Sequence, residues 1–265
     1  MPPPADLDVP TGTFFESHGT DVCTQFIKLD RAMYFGLFRR VRPNPTCERR
    51  TCFTEEETEA YKATFVDIHV TPTVTAGQLF SYRSASSGGP GKEDNGGGDG
   101  KPKLWTRLVQ QPEGLAERWH YGSRIALLGD AAMQVTSTAG LGFNASLQSG
   151  VFLANKLRAA LVNSSTDTLA HSSSDLGEEA LGRVLAEYEE VRRTESELVR
   201  DMSARMIRGN TWDGWTAWFT TEWLVPWVVG DHAMIRLLSQ NVISKGRTLG
   251  CGNRTEKVGS MPWDN

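Results

Sequence analysis

Two short stretches of the sequence carry residues whose types and spacing suit ligand binding. Gly129 and Asp130 follow an apolar run, and a carboxylate in such a place can accept hydrogen bonds from ligand hydroxyl groups. Further along, residues 140–144 read GLGFN. Because glycine has no Cβ atom, a ligand can approach the backbone at such a turn, and the N–H groups that open a helix favour an anion such as a diphosphate.

The flanking residues predict the elements that position these groups. Residues 125–128 form a short continuous apolar run, which predicts a strand buried on both faces that ends at Gly129 and Asp130. After the glycine-rich stretch, apolar residues recur three or four positions apart, which predicts a helix. Its predicted apolar face consists of Leu147, Val151, Ala154, Leu157 and Leu161.

This ordered combination resembles the "GD" flavin-binding motif of the aromatic-hydroxylase-like, FAD-dependent monooxygenases. The resemblance extends to residues 119–122, which read WHYG, and to residues 153–157, which read LANKL. Within that family, the sequence is most similar to the fungal monooxygenases of secondary metabolism, including epoxidases of indole-diterpenes and meroterpenoids.

The resemblance implies a role for each matching residue. Asp130, in the motif with Gly129, would hold the ribitol chain of FAD. The glycine-rich turn would lie against the diphosphate and the flavin ring, through Gly140, Leu141, Gly142, Phe143 and Asn144.

The ADP half of such a cofactor is expected to need a strand, a G-x-G-x-x-G turn and a helix. No stretch before Arg124 has that form. We therefore expect an α/β chain with an incomplete FAD/NAD(P)-binding Rossmann-like domain, a β-sheet substrate domain and C-terminal helices. The expected mixed sheet would be left without some strands, as in the C-terminal part of a longer enzyme.

Residues 1–123 are expected to form a partial substrate-binding region. Aromatic and β-branched runs between residues 14 and 41 predict strands, and Tyr34 is the candidate for a side chain facing a substrate pocket, although a core position is the commoner fate of a strand aromatic. Thr54 is a candidate N-cap for a helix. Residues 84–103 are rich in Gly and Ser and predict a flexible insertion.

The region after the predicted flavin segment, residues 124–162, is expected to be helical. A second polar connection covers residues 163–175, and helical spacing resumes in residues 176–245, with Glu and Arg between the apolar positions. Five tryptophans fall in residues 211–229, where Pro226 is expected to interrupt any helix. Packing against a pocket or core is favoured there, and contact with a membrane interface is the alternative. Residues 246–265 predict a tail.

Composition limits the remaining classes. The formal charge of −4 gives no electrostatic basis for nucleic-acid binding, and neither a signal peptide nor a spanning segment is evident. We therefore expect a cytoplasmic protein, with association at a membrane surface as the alternative. The four cysteines are too irregularly spaced to predict a disulfide scaffold or a zinc site, and no metal site is predicted.

The functional hypothesis is an FAD-dependent monooxygenase that uses NAD(P)H and oxygen to epoxidise or hydroxylate an apolar organic metabolite. The rival hypotheses are a truncated, non-catalytic remnant, a chain that binds flavin only with a partner supplying the N-terminal part, and a membrane-peripheral interaction protein.

Overall fold

The chain forms helices and antiparallel strands in two compact units. The structure, a computed structural model, describes residues 9–30, 32–41, 52–81, 106–166, 177–229, 236 and 246–250. One unit comprises residues 1–110 with 208–221, and the other comprises residues 111–207 with 222–265. The predicted insertion at residues 84–103 and most of the predicted tail lie outside the described residues.

A three-stranded antiparallel meander organises the first unit. Its strands are β1 (Phe14–Gly19), β2 (Val22–Lys28) and β3 (Met33–Arg39). Phe26 pairs with both Phe15 and Phe35, so these three rings share one face of the sheet. That face packs against a core that includes Phe65 and Leu79, and Phe26 itself is fully buried. The strands predicted between residues 14 and 41 are confirmed.

Two short helices complete the described part of this unit, α1 (Glu55–Ala63) and α2 (Ala76–Phe80). Thr54 caps α1 as predicted: its hydroxyl accepts a hydrogen bond from the Glu57 N–H, and the Glu57 carboxylate accepts one from the Thr54 N–H. This reciprocal pair satisfies two donors that would otherwise lack partners at the helix start.

The second unit contains two small antiparallel ladders and two long helices. The strands are β4 (Gly114–Leu115), β5 (His120–Tyr121), β6 (Ile125–Ala126) and β7 (Met133–Gln134), with β4 paired to β7 and β5 paired to β6. The helices are α3 (Leu141–Thr166) and α4 (Glu178–Asn210). Trp119, Met133, Phe152, Tyr188 and Val199 are among the buried residues of their common core.

The strand predicted at residues 125–128 is shorter and less buried than expected. Only β6 is a strand, Ile125 is 57% exposed and Leu128 is 42% exposed. All strand pairs among the described residues are antiparallel, so the mixed sheet is not seen there. Among the described residues β6 pairs with β5 alone, so it is not an interior strand of a sheet whose two faces helices cover.

Helix α3 is longer than predicted, and its buried face matches the predicted one only in part. It continues to Thr166, which lies within the segment 163–175 that the sequence predicts to be a polar connection. Leu147, Ala154 and Leu161 are exposed, whereas Val151 is buried as predicted, together with Ala145, Ser149 and Phe152. The buried stripe therefore overlaps the predicted face at Val151 and extends to Ala145 and Ser149, which accept hydrogen bonds from Arg192 of α4.

The tryptophan-rich segment also differs from the favoured interpretation. It forms α5 (Trp215–Phe219), which continues into a π-type helix, Thr220–Val229, that includes Pro226. Pro226 therefore does not interrupt the helix, although the sequence predicts an interruption there. Trp223 and Trp227 are 53% and 80% exposed, so packing does not cover them.

Candidate functional site

Gly129 and Asp130 form a tight turn at the beginning of the candidate site. Leu128 enters in an extended conformation, and Gly129–Ala131 then make one turn of 3₁₀ helix. Gly129 has φ +60°, a conformation that disfavours any residue with a Cβ atom. The Asp130 side chain is exposed, so its carboxylate is accessible to a ligand.

The glycine-rich stretch has the predicted form of a turn that opens a helix. A 3₁₀ turn, Ser137–Ala139, ends at Gly140, which has φ +65°, and α3 begins at the next residue. A Cβ atom built on Gly140 meets nothing within 4 Å, so glycine is required there for its backbone conformation. At Gly142 a Cβ atom would lie 3.3 Å from the Val135 side chain, so space is the constraint.

The fold brings these two turns to the same end of α3. A Cβ atom on Gly129 would lie only 3.4 Å from the hydroxyl of Ser146, in the second turn of that helix. A Cβ atom would thus make an ordinary contact there, and it is the positive φ of Gly129 that favours glycine. Phe143 is 77% exposed and Asn144 is also exposed, so the first turn of α3 presents both to solvent near the carboxylate turn.

These residues suit a cofactor that carries both hydroxyl groups and a diphosphate. The first N–H groups of α3 have no acceptor within the helix, and the helix dipole makes this end favourable for an anion. The open space around Gly140 leaves its backbone approachable. Asp130 supplies an accessible acceptor for hydroxyl groups, so the chemistry of the donor set fits FAD.

Helix α4 contacts both parts of the site from the buried side. The phenol of Tyr188 donates to the carbonyl oxygen of Leu127 at 2.8 Å, just before the carboxylate turn. Arg192 donates to the carbonyl oxygen of Ala145 at 3.0 Å and to the hydroxyl of Ser149 at 3.1 Å. The helical spacing predicted α4 itself, but not these roles. Only the i, i+4 relation of the two residues could have pointed to a shared face.

A third α4 residue, Glu189, holds the segment that leads into β5. One carboxylate oxygen accepts from the Trp119 N–H at 2.9 Å, the His120 N–H at 3.2 Å and the His120 ring nitrogen Nδ1 at 2.6 Å. Burial opposes ionisation of Glu189, but these hydrogen bonds and the imidazole outweigh it, and the pKa lies below its ordinary value.

The guanidinium group of Arg192 is buried and forms an ion pair with one carboxylate. Only 4% of the Arg192 side chain is exposed, and Glu195 pairs with it. Burial lowers the pKa of Arg192, while the charge of Glu195 opposes that shift. Glu195 also pairs with Arg247. Burial opposes ionisation of Glu195, but the guanidinium groups of Arg247 and Arg192 hold the pKa of its carboxyl below the ordinary value.

A groove of about 360 Å³ lies elsewhere in the second unit. None of its lining residues belongs to the two turns. It is lined by Ser123, Arg124, Ala126, Leu153, Leu157, Leu181 and Leu185.

Tyr34 lies in the other unit, on the face of the meander that does not form the core. It pairs with Ile27 and its side chain is 61% exposed. The same face carries Glu16 and Gln25, whose side chains hydrogen-bond at 2.6 Å. Among the described residues, no three His, Cys, Asp or Glu side chains cluster in a way that could hold a metal ion.

A carboxylate turn and a glycine turn at one helix N-terminus define part of a nucleotide-cofactor-binding domain. Residues 99–185 match the family described as "FAD binding domain". This segment contains both turns, α3 and the beginning of α4.

The chain is also similar to fungal proteins named FAD-dependent monooxygenase. It is 30% identical to srdH of Neurospora crassa over 97% of this chain and 53% of that protein. It is 24% identical to DEP2 of Alternaria brassicicola over 83% of this chain and 36% of that protein, and 29% identical to ausM of Penicillium brasilianum over 54% and 27%. The chain thus spans about half or less of the length of these relatives. No solved structure matches.

These comparisons confirm the recognition made from the Gly129-Asp130 motif: the chain is a relative of the fungal FAD-dependent monooxygenases and carries a segment of their FAD binding domain. In the part of the chain that the structure describes, no helix is both long and apolar enough to span a membrane.

Proposed function

We propose that this chain provides part of the active site of an FAD-dependent monooxygenase. The observation that carries the proposal is the approach of Gly129 to Ser146, which sets the exposed Asp130 beside the N-terminus of α3 within the segment that matches the FAD binding domain. In the proposal, Asp130 accepts hydrogen bonds from the ribitol hydroxyls. Residues 140–144 receive the diphosphate and one edge of the flavin ring through backbone N–H groups.

The bound flavin supplies the redox chemistry, with NAD(P)H as the reductant and oxygen as the source of the transferred atom. The chain's own residues bind the cofactor and hold its orientation. The proposed substrate is an apolar small organic metabolite that is epoxidised or hydroxylated. Tyr34 is the proposed substrate-facing side chain, supported by its exposure on the sheet face opposite the core.

The proposed architecture of the flavin segment is an incomplete Rossmann-like domain within residues 124–162. The support is the order of elements, a strand, a carboxylate turn, a glycine turn and a helix. Because the ADP-binding turn is not found before Arg124, we propose that a further segment or a partner chain supplies it. The edge of β6 that has no strand partner among the described residues would suit an additional strand, and the exposed Ile125 and Leu128 side chains would suit a packed layer.

The direct test is flavin retention by the purified protein. FAD is added, the excess is removed, and the visible absorbance is compared for wild type, Asp130→Ala and Asp67→Ala, the last being an exposed carboxylate in the other unit. We expect wild type and Asp67→Ala to retain flavin and Asp130→Ala to lose most of it. Absence of flavin from the wild-type protein would instead support the non-catalytic alternative, which no present observation favours.

A second proposed property is contact with a lipid surface through the π-type helix. The observation in its favour is the exposure of four apolar side chains there: Trp223, Leu224, Trp227 and Val228. Liposome co-sedimentation should fall for the double variant Trp223→Ala/Trp227→Ala and not for Phe143→Ala, which removes an equally exposed aromatic elsewhere. Equal sedimentation of the double variant and wild type would dismiss this property.

A further inference from the structure

The buried face of α4 carries a polar pair that connects elements far apart in the sequence. Tyr188 is fully buried, and its phenol donates to the Leu127 carbonyl oxygen at 2.8 Å. Arg192, one turn further along, donates to the carbonyl oxygen of Ala145 at 3.0 Å. One contact fixes the chain just before the carboxylate turn, and the other fixes the second turn of α3.

The hydroxyl of Ser149 adds a second acceptor on α3 for Arg192. It accepts a hydrogen bond from Arg192 Nε at 3.1 Å. The same hydroxyl donates to the Ala145 carbonyl oxygen at 3.0 Å. Arg192, the Ser149 hydroxyl and the Ala145 carbonyl therefore form one buried network, in which a shift of any member leaves a polar atom without its partner, at a cost in free energy.

A guanidinium is an expensive group to bury for packing alone. An apolar side chain of similar volume would fill the same space without loss of hydration, and such replacements are often neutral or stabilising. Arg192 instead offers several donors in a rigid plane, directed at acceptors on α3 and at Glu195. This geometry fixes the orientation of α3 relative to α4, which apolar contacts leave less restricted.

We propose that Tyr188 and Arg192 are positioning residues, which together set the distance and orientation between the Gly129-Asp130 turn and the N-terminus of α3. The inference rests on the proposed FAD site, because those two elements are its two halves. Both side chains are buried, so they act on the cofactor through the groups that they hold, Leu127 for Tyr188, and Ala145 with Ser149 for Arg192.

The test uses the full chain with the variants Tyr188→Phe, Arg192→Lys and Arg192→Met. Val184→Ala is the control, because Val184 lies on the same helix, is buried and makes an apolar contribution only. The FAD dissociation constant is measured by quenching of flavin fluorescence, and the melting temperature is recorded for each variant. Amide hydrogen exchange of residues 127–132 and 141–149 is measured without flavin.

We expect Tyr188→Phe to raise the dissociation constant about threefold to tenfold, which corresponds to the loss of one net hydrogen bond. Arg192→Met should raise it further, and Arg192→Lys should recover part of the loss. Exchange should increase at residues 127–132 in Tyr188→Phe and at residues 141–149 in Arg192→Met. Val184→Ala should lower the melting temperature without either local effect.

Two results would overturn the inference. One is an increase of the dissociation constant in Val184→Ala as large as in the polar variants at the same loss of melting temperature. The other is unchanged exchange at both segments in Tyr188→Phe and Arg192→Met. If the wild-type protein binds no FAD, the proposed function fails, and the exchange measurement alone still decides whether the pair positions the turns.

Discussion

The phenol oxygen of Tyr188 lies 2.8 Å from the carbonyl oxygen of Leu127 and donates a hydrogen bond to it. Through this bond α4 holds the backbone immediately before the carboxylate turn. The Tyr188 ring also packs against Trp119, with ring centroids 5.9 Å apart, and against Phe152 at 6.3 Å. One side chain thus joins the segment before β5, the approach to Asp130 and α3.

The first prediction concerns the stability that this hydrogen bond provides. Tyr188→Phe keeps the ring but leaves the Leu127 carbonyl oxygen without this donor, so the free energy of unfolding should fall by about 1 kcal/mol. Urea denaturation measures the change. Tyr121→Phe is the control, because Tyr121 is 71% exposed and its hydroxyl can be replaced at almost no cost. Equal losses in the two variants would contradict the prediction.

The second prediction concerns the positive φ of Gly140, which is compared with a helical glycine that is equally unobstructed. Gly140→Ala places a Cβ atom in open space but forces alanine to adopt φ +65°, so unfolding free energy should fall by about 1 kcal/mol. Gly182→Ala, within α4 and equally unobstructed, should instead raise it by about 0.5–1 kcal/mol, because alanine favours helix. Urea denaturation of both variants distinguishes the two effects by their opposite signs.

The third prediction concerns pH and the Glu189 carboxylate. Because the pKa of Glu189 in the folded protein lies below its ordinary value of 4.5, ionised Glu189 stabilises the fold at pH values above its unfolded pKa. This contribution should be lost as pH falls through the lowered, folded pKa. Melting temperatures between about pH 3 and pH 7 should therefore depend less on pH in Glu189→Gln than in wild type. Parallel curves for the two proteins would argue against this role.

The fourth prediction concerns residues 246–250, which lie along α3. The Asn155 side chain donates to the Thr248 carbonyl oxygen at 2.9 Å and accepts from the Gly250 N–H at 2.8 Å. Asn155→Ala should therefore accelerate amide exchange at Gly250. Arg158→Ala should have a smaller effect, since Arg158 makes a single, longer contact of 3.5 Å to Gly250. Exchange measured by mass spectrometry checks the order of the two effects, and a reversed order would refute it.

Local sequence signals predicted the elements of the site well. The glycine turn, the helix that follows it and the capping box of α1 depend on residues within a few positions of each other, such as Gly140 and Leu141 or Thr54 and Glu57. Such signals act through backbone conformation and near-neighbour hydrogen bonds, which the sequence specifies directly. The cofactor class followed from the same stretch, because the spacing of Asp130 and the glycines matched a flavoprotein motif.

Burial was decided by the tertiary structure. The sequence alone determined that a carboxylate turn and a glycine turn flank a helix, and that a long amphipathic helix follows. It did not determine that Arg192 is buried, that Ile125 is exposed, or that Trp227 projects into solvent. Whether a side chain is buried depends on which distant segment packs against it: Arg192 of α4 reaches acceptors on α3, whereas β6 pairs with a single strand among the described residues. Those pairings arise only when the chain folds.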